Sequence, residues 1–277
     1  MQKTKKMQTE LSDFGALLPA VRQLARRAGQ AILSIYDAAS PEASLFDLKA
    51  DQSPVTAADR LAHQCIVEGL QALTPGVPVV SEEDPASMAA LSRGAAFWLV
   101  DPLDGTKEFL SRNGEFTVNI ALVMGGEAVW GVVYVPVLAQ MYWGGSGLGA
   151  FREVDEKTAA IRVSEQLQPG SRYRVVASKS HLNAETRAFI ERLGGADLLQ
   201  AGSSLKFCRV AEGAADVYPR LAPTCQWDTA AAQAVVEGAG GHVVDLQGLK
   251  LGYGQAELLN PHFVAAALPL HELVKAN

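Results

Sequence analysis

Asp101-Pro102-Leu103-Asp104-Gly105-Thr106-Lys107-Glu108-Phe109 is the stretch on which this chain turns. The apolar run Phe97-Trp98-Leu99-Val100 precedes it and reads as a buried strand. Two carboxylates, three residues apart, therefore stand where a strand ends and the chain must turn. Pro102 fixes one backbone angle, and Gly105 allows a close approach that a side chain would block. Carboxylates together with exposed backbone carbonyls suit a hard divalent cation such as Mg²⁺. Gly105 and Thr106 add backbone N–H groups and a hydroxyl, donors of the kind that cradle a phosphate. Metal ligands and phosphate donors in one loop point to metal-assisted phosphate chemistry. Asp-Pro and Asp-Gly are also ordinary turn dipeptides, so the loop alone leaves a plain polar turn open.

Upstream, Val77 to Val80 reads as a short strand running into Ser81-Glu82-Glu83-Asp84-Pro85. This is either a solvated acidic turn or a second strand end carrying a metal ligand. Earlier still lies Lys49-Ala50-Asp51-Gln52-Ser53-Pro54-Val55-Thr56-Ala57-Ala58-Asp59. Ser53-Pro54 marks a turn, and Thr56 can cap a helix running to about Ala72. Asp59 falls in that helix's first turn, where its charge suits the helix dipole, and this role needs no further function. Asp51 precedes the turn and reads as a surface or a catalytic carboxylate. Far downstream, Trp227-Asp228-Thr229 opens an alanine-rich helix that ends at Gly238-Ala239-Gly240-Gly241. Asp228 is an N-cap or a third metal-binding carboxylate.

The remaining pattern supplies a frame. Phe14 to Tyr36 carries apolar residues at helical spacing, and Ala38 to Leu48 is looser. Phe116–Met124 and Ala128–Val137 read as a hairpin joined by Gly125-Gly126-Glu127. Ala139–Trp143 and Leu148–Arg152 add two strands. Gly144-Gly145-Ser146-Gly147 lacks the strand–helix setting of a dinucleotide site and reads as a turn. Charged Val154–Ile161 reads as a loop. Beyond it strands at 173–177, 197–201 and 216–218 alternate with helices at 181–193 and 204–212, an α/β second half. Strands at 242–245 and 263–266 close the chain. The division is a polar leader over residues 1–13, an α+β half over 14–165 that holds the acidic motifs, and an α/β half over 166–277.

Composition excludes several classes. The chain has 277 residues, 48% apolar and 19% charged, with net charge −6 and no long basic run. It fits a globular protein and speaks against nucleic-acid binding. Three widely spaced cysteines, with no Cys-x-x-Cys, fit neither a disulfide framework nor a zinc site and suit a reducing cytoplasm. No apolar run follows Lys3, Lys5 and Lys6 to make a signal peptide, and none is long enough to span a membrane. The basic leader reads as a disordered tail, with peripheral contact to an anionic lipid surface as the alternative.

Taken together, Glu82-Glu83, Asp101 to Thr106 and Trp227-Asp228 resemble, in order and spacing, the signature of the inositol monophosphatase superfamily. Its members are Mg²⁺-dependent, lithium-sensitive phosphatases with an αβαβα sugar-phosphatase fold. Several further stretches are similar to its 3′(2′),5′-bisphosphate nucleotidase (CysQ-type) branch. They are Lys49 to Thr56, Ser81 to Pro85, Gly105-Thr106-Lys107-Glu108-Phe109, Asn113 to Ala121, Gly202 to Cys208, and Tyr218-Pro219-Arg220. Inositol monophosphatases usually carry Thr-Asn in place of Lys107-Glu108.

The resemblance implies roles. Glu82, Asp101 and the Leu103 carbonyl would hold one Mg²⁺, while Asp101, Asp104 and Asp228 would hold a second. A third ion near Glu82 and Asp51 is allowed. Bridging by Asp101 fits a separation of about 3.5–4 Å, as in two-metal sites. Asp51 and Thr106 would orient and deprotonate the attacking water, with Glu82 beside them in the catalytic group. Leu103, Asp104, Gly105, Thr106 and Asp228 would face the reacting phosphate. Lys206 and Arg220, with Ser203, Ser204 and His181, would hold the rest of a nucleotide. The implied reaction converts adenosine 3′,5′-bisphosphate to AMP and phosphate, clearing a by-product of sulfate assimilation. An inositol or sugar monophosphatase is the alternative within the superfamily, and a non-catalytic nucleotide sensor the alternative outside enzymology. The oligomeric state is left open between monomer and homodimer.

Overall fold

The computed structural model describes residues 15–38, 46–48, 54–92, 94–165, 172–178 and 183–273. Val21, Leu24, Ala25, Ala28 and Ile32 share one helical face, and helix α1 (Leu18–Tyr36) buries all five. Pro19 stands in its first turn, where no intrahelical N–H is lost. Two short strands, β1 (Phe46–Leu48) and β2 (Pro54–Thr56), pair antiparallel. Helix α2 (Ala57–Leu73) follows at once. Thr56 Oγ1 accepts from Ala58 N at 3.1 Å, and Asp59 Oδ2 accepts from Thr56 N at 2.7 Å. This reciprocal cap, at the position that Thr56 predicts, contributes about 1 kcal/mol.

A seven-stranded sheet comes next, its strands side by side in chain order. They are β3 (Val79–Ser81), β4 (Phe97–Asp104), β5 (Thr117–Met124), β6 (Glu127–Val135), β7 (Gln140–Gly145), β8 (Gly149–Val154) and β9 (Lys157–Ile161). Only β3 and β4 run parallel; every later pairing is antiparallel. A 3₁₀ turn (Pro85–Ala90) lies between β3 and β4, and a one-turn helix α3 (Thr106–Leu110) between β4 and β5. Strand β9 corrects the loop reading of Val154–Ile161. It pairs with β8 at the sheet edge, with Lys157 to Ala160 exposed, so its polar pattern carries no burial signal.

The second half builds a five-stranded sheet of order β11-β10-β12-β14-β13. Its elements are β10 (Tyr173–Ala177), α4 (Ala184–Arg192), β11 (Ala196–Gln200), α5 (Leu205–Ala211), β12 (Val217–Arg220), α6 (Gln226–Gly238), β13 (His242–Asp245), β14 (Phe263–Ala266) and α7 (Leu270–Leu273). Strands β11, β10 and β12 are parallel, and β12, β14 and β13 antiparallel. Buried Asp216 ties β10 to this sheet: it accepts from Arg174 N at 2.7 Å, Arg174 Nη2 at 2.6 Å and Ser164 Oγ at 2.7 Å.

Alternation along the central strands explains the layering. Trp98, Val100, Ile120, Leu122, Trp130 and Val132 face α1 and α2 in one buried cluster. Phe97, Leu99, Ala121, Val123 and Val133 face the other way, toward Ala230, Ala231, Ala234 and Val235 of α6. Phe207 and Val210 of α5 share that second cluster with Tyr218, Val243, Phe263 and Ala265 of the five-stranded sheet. That sheet's outer face packs on Phe189 and Ile190 of α4 and on Leu273. The result is five layers: helices, sheet, helices, sheet, helices. Helix α6 comes from the second half of the sequence yet lies on strands β4 to β8 of the first sheet. Its alanines let it approach closely. A Cβ on Gly131 of β6 would lie 2.4 Å from the Ala231 carbonyl oxygen, so only glycine fits there.

Candidate active site

Parallel pairing explains how the acidic motifs meet. Because β3 and β4 run the same way, with Ser81 opposite Val100, both strands end at one edge of the sheet. Glu82 and Asp101 follow those two residues, and Glu82 N donates to Val100 O at 3.2 Å. Asp101 is buried, and its Oδ1 accepts from Leu103 N at 3.1 Å, which forms the turn. The β4–β5 register shifts between Asp101 and Asp104, which takes Pro102 and Leu103 out of the ladder. Helix α6 supplies the third carboxylate. Asp228 lies in its first turn, where Oδ2 accepts from Cys225 N at 2.9 Å. Carboxylate oxygens of Glu82, Asp101 and Asp228 all fall within 4.8 Å of one another. Burial pushes the Asp228 carboxyl well above its ordinary value, and the charges of Asp104 and Glu82 add to the rise. Converging carboxylates with no cation between them repel, and a divalent ion with oxygen ligands is the partner this donor set fits.

Asp104 stands beside this group and is held from the second half of the chain. Its Oδ2 accepts from Ser204 N at 2.7 Å and Ser204 Oγ at 2.8 Å. Asn119 Nδ2 and Thr117 Oγ1 reach the same oxygen at 3.4 Å from β5. Ser203, whose φ is +51°, donates its hydroxyl to the Asp104 carbonyl at 2.8 Å. Gly105 adopts φ +93°, which breaks the strand and starts α3. Thr106 then presents its side chain to α2: Oγ1 donates to Asp59 Oδ1 at 3.3 Å. Asp59 is buried, with its other oxygen taken by Thr56.

Two cavities meet across this wall. One, of about 350 Å³, is lined by Glu82, Asp101, Leu103, Asp104, Gly105, Thr106 and Asp228. The other, of about 180 Å³, is lined by Ser203, Ser204, Lys206, Tyr218, Arg220 and Thr224. Lys206 is buried on α5 with its ammonium 5.5 Å from the Tyr218 ring centroid. Burial lowers its pKa to about 8, although Asp104 pulls it up. Arg220 Nη2 donates to the Pro223 carbonyl at 3.0 Å, while its buried Nε has no partner among the described residues.

The sequence profile of the inositol monophosphatase family matches residues 16–276. The chain belongs to the inositol monophosphatase family. Within that family, a 3′(2′),5′-bisphosphate nucleotidase CysQ from Salmonella typhimurium is 50% identical over 248 residues, covering 89% of this chain and 98% of its own. The crystal structure of CysQ from Bacteroides thetaiotaomicron, a bacterial family member, matches with a TM-score of 0.77 at 42% identity, covering 88% of this chain and 95% of that one. The Thermotoga maritima IMPase gives 0.74 at 27% identity, covering 94% and 95%. The five-layered α/β architecture is that of the family.

In this family member, the structure gathers Glu82, Asp101, Leu103, Asp104, Gly105, Thr106 and Asp228 around one cavity, and Ser203, Ser204, Lys206 and Arg220 around its neighbour. Asp51 and His181 lie outside the described residues, as does the leader over residues 1–13. Asp59 is the residue that sequence reading passed over. Its capping role is real, but the same carboxylate also receives the Thr106 hydroxyl. An aspartate buried at a helix start, with a threonine in the neighbouring acidic loop, leaves no periodicity to detect. None of the three cysteines is in a disulfide, and no described helix is long and apolar enough to cross a membrane.

Proposed function

We propose that this chain is a Mg²⁺-dependent phosphatase that cleaves the 3′-phosphate of adenosine 3′,5′-bisphosphate, giving AMP and phosphate. The observation that carries this reading is the pair of adjoining cavities, one acidic and one holding Lys206 and Arg220. The acidic cavity suits a metal and the phosphate that reacts. The basic cavity suits a phosphate that must be held without being cleaved. Relatives at 50% identity that carry the nucleotidase name support the same substrate class.

Glu82, Asp101 and the Leu103 carbonyl would hold one metal ion, and Asp101, Asp104 and Asp228 would hold a second. A third ion beside Glu82 belongs to the same reading. When bound, Mg²⁺ supplies Lewis acidity, offsetting phosphate charge and making the attacking water more acidic. The Thr106 hydroxyl donates a hydrogen bond to Asp59, which leaves its oxygen lone pairs to accept from that water. The water's proton passes through the Thr106 oxygen to the Asp59 carboxylate as oxygen attacks phosphorus in line. The bond from phosphorus to the 3′-oxygen breaks, and the leaving oxygen takes a proton from solvent. Lys206 and Arg220 anchor the 5′-phosphate, and the Ser203–Ser204 turn keeps Asp104 facing the reaction.

The deciding experiment compares phosphate release from adenosine 3′,5′-bisphosphate and inositol 1-phosphate, with Mg²⁺ and then with EDTA. Mg²⁺-dependent preference for the nucleotide is expected. Preference for inositol phosphate would make the chain a monophosphatase, and tight nucleotide binding without turnover would make it a sensor.

A further inference from the structure

Lys107 belongs to both cavities and has no part in the chemistry described above. Four described residues line both spaces, Asp104, Lys107, Glu108 and Asp228, so Lys107 is the one cation among the described residues on the shared wall. It is exposed in the first turn of α3 and makes no ion pair among the described residues. Glu108, its neighbour, faces inward, and its charge acts on Lys206.

The charges decide what Lys107 is for. With Asp104 and Asp228 given to the metal, the smaller cavity keeps Lys107, Lys206 and Arg220 against Glu108, a surplus of about two positive charges. A phosphate monoester carries about −1.5 to −2 charge near neutral pH. Without Lys107 the surplus is about one, and the second phosphate is under-compensated. Lys206 and Arg220 belong to α5 and β12 and Lys107 to α3, so the cations lining this cavity come from three separate elements. A flexible lysine suits that place, because it can follow a substrate across the wall as a point charge.

We propose that Lys107 is a specificity-determining residue whose ammonium pairs with the non-reacting phosphate of a bisphosphate from the wall between the two cavities. The proposal rests on the nucleotidase reading, and it names the residue that makes a second phosphate favourable rather than merely tolerated.

The test uses full-length protein with Mg²⁺, comparing wild type, Lys107→Met and Lys107→Arg. Substrates are adenosine 3′,5′-bisphosphate and adenosine 3′-monophosphate, which share the scissile bond and differ only in the second phosphate. Lys107→Met is expected to lower the ratio of kcat/KM, bisphosphate over monophosphate, about tenfold, with the loss in KM. Lys107→Arg should restore most of the ratio. Calorimetry supplies a readout free of turnover: AMP, which keeps only the 5′-phosphate, should bind Lys107→Met about tenfold more weakly. An unchanged ratio, or an equal loss on both substrates, overturns the proposal while leaving the nucleotidase reading intact. Wild-type protein that does not prefer the bisphosphate overturns the reading itself, and the proposal with it.

Discussion

Replacing Lys206 with methionine should make the protein more stable and a worse enzyme. Burial drives the Lys206 pKa from 10.5 down to about 8, against the pull of Asp104. Each tenfold change in proton affinity is worth about 1.4 kcal/mol, so keeping that proton at pH 7 costs the fold about 3 kcal/mol. The sign follows from the folded pKa lying below the unfolded one. The cost is complete below about pH 8, fades as pH rises toward 10.5, and vanishes above it. Methionine is similar in length, apolar and flexible, so it can fill the same space without the charge. Urea unfolding in EDTA should show Lys206→Met about 3 kcal/mol more stable at pH 7, and less than about 1 kcal/mol more stable at pH 10. In Mg²⁺ the variant should raise KM for the bisphosphate with a smaller change in kcat, because it loses binding to a group that does not react. A variant no more stable than wild type at pH 7, or a gap equal at both pH values, would refute the reasoning.

Other substitutions probe the remaining parts. Asp101→Asn should nearly abolish turnover with the far-UV circular dichroism spectrum unchanged; wild-type-like rates would remove Asp101 from the metal centre. Asp59→Asn should lower kcat by about 10²–10⁴ with little change in KM, and Thr106→Val should match it, since each breaks one proton path. Asp216→Ala should cost about 2–3 kcal/mol at pH 7 by freeing Arg174 and Ser164 from their shared acceptor. Burial alone would raise the Asp216 pKa, but hydrogen bonds from Arg174 and Ser164 outweigh it and hold the carboxyl below 3.8. That contribution is complete above pH 3.8 and is lost as pH falls through the lower folded value, so the gap between variant and wild type should close in strong acid.

Where burial is periodic, the chain announces its fold. Leu17 to Ile35 displays the helical period, while Phe97 to Val100 and the Phe116–Val137 hairpin mark strands by near-continuous apolar runs that are buried on both faces. The acidic strand ends were legible for a related reason: a carboxylate directly after an apolar run has few structural uses. The edge strand Lys157–Ile161 carries no such signal, because both its faces meet solvent. Asp59 shows a different limit. A capping aspartate looks the same whether or not a threonine from another loop reaches it, and that contact exists only in three dimensions. The hydrogen bonds that Ser204 makes to Asp104, from 100 residues away, are equally silent in the sequence.

Helix α6 also sets the order in which this protein can come into being. A chain emerging from the ribosome has all seven strands of the first sheet before α6 exists. Until then Leu99, Ala121 and Val133 have no helix to cover them on that side. The same helix that seals this face brings Asp228 to Glu82 and Asp101. The carboxylate cluster therefore closes only when the sheet is covered. A chain ending before α6 leaves that apolar face uncovered and lacks the third carboxylate of the cluster, and α6 supplies both in a single step.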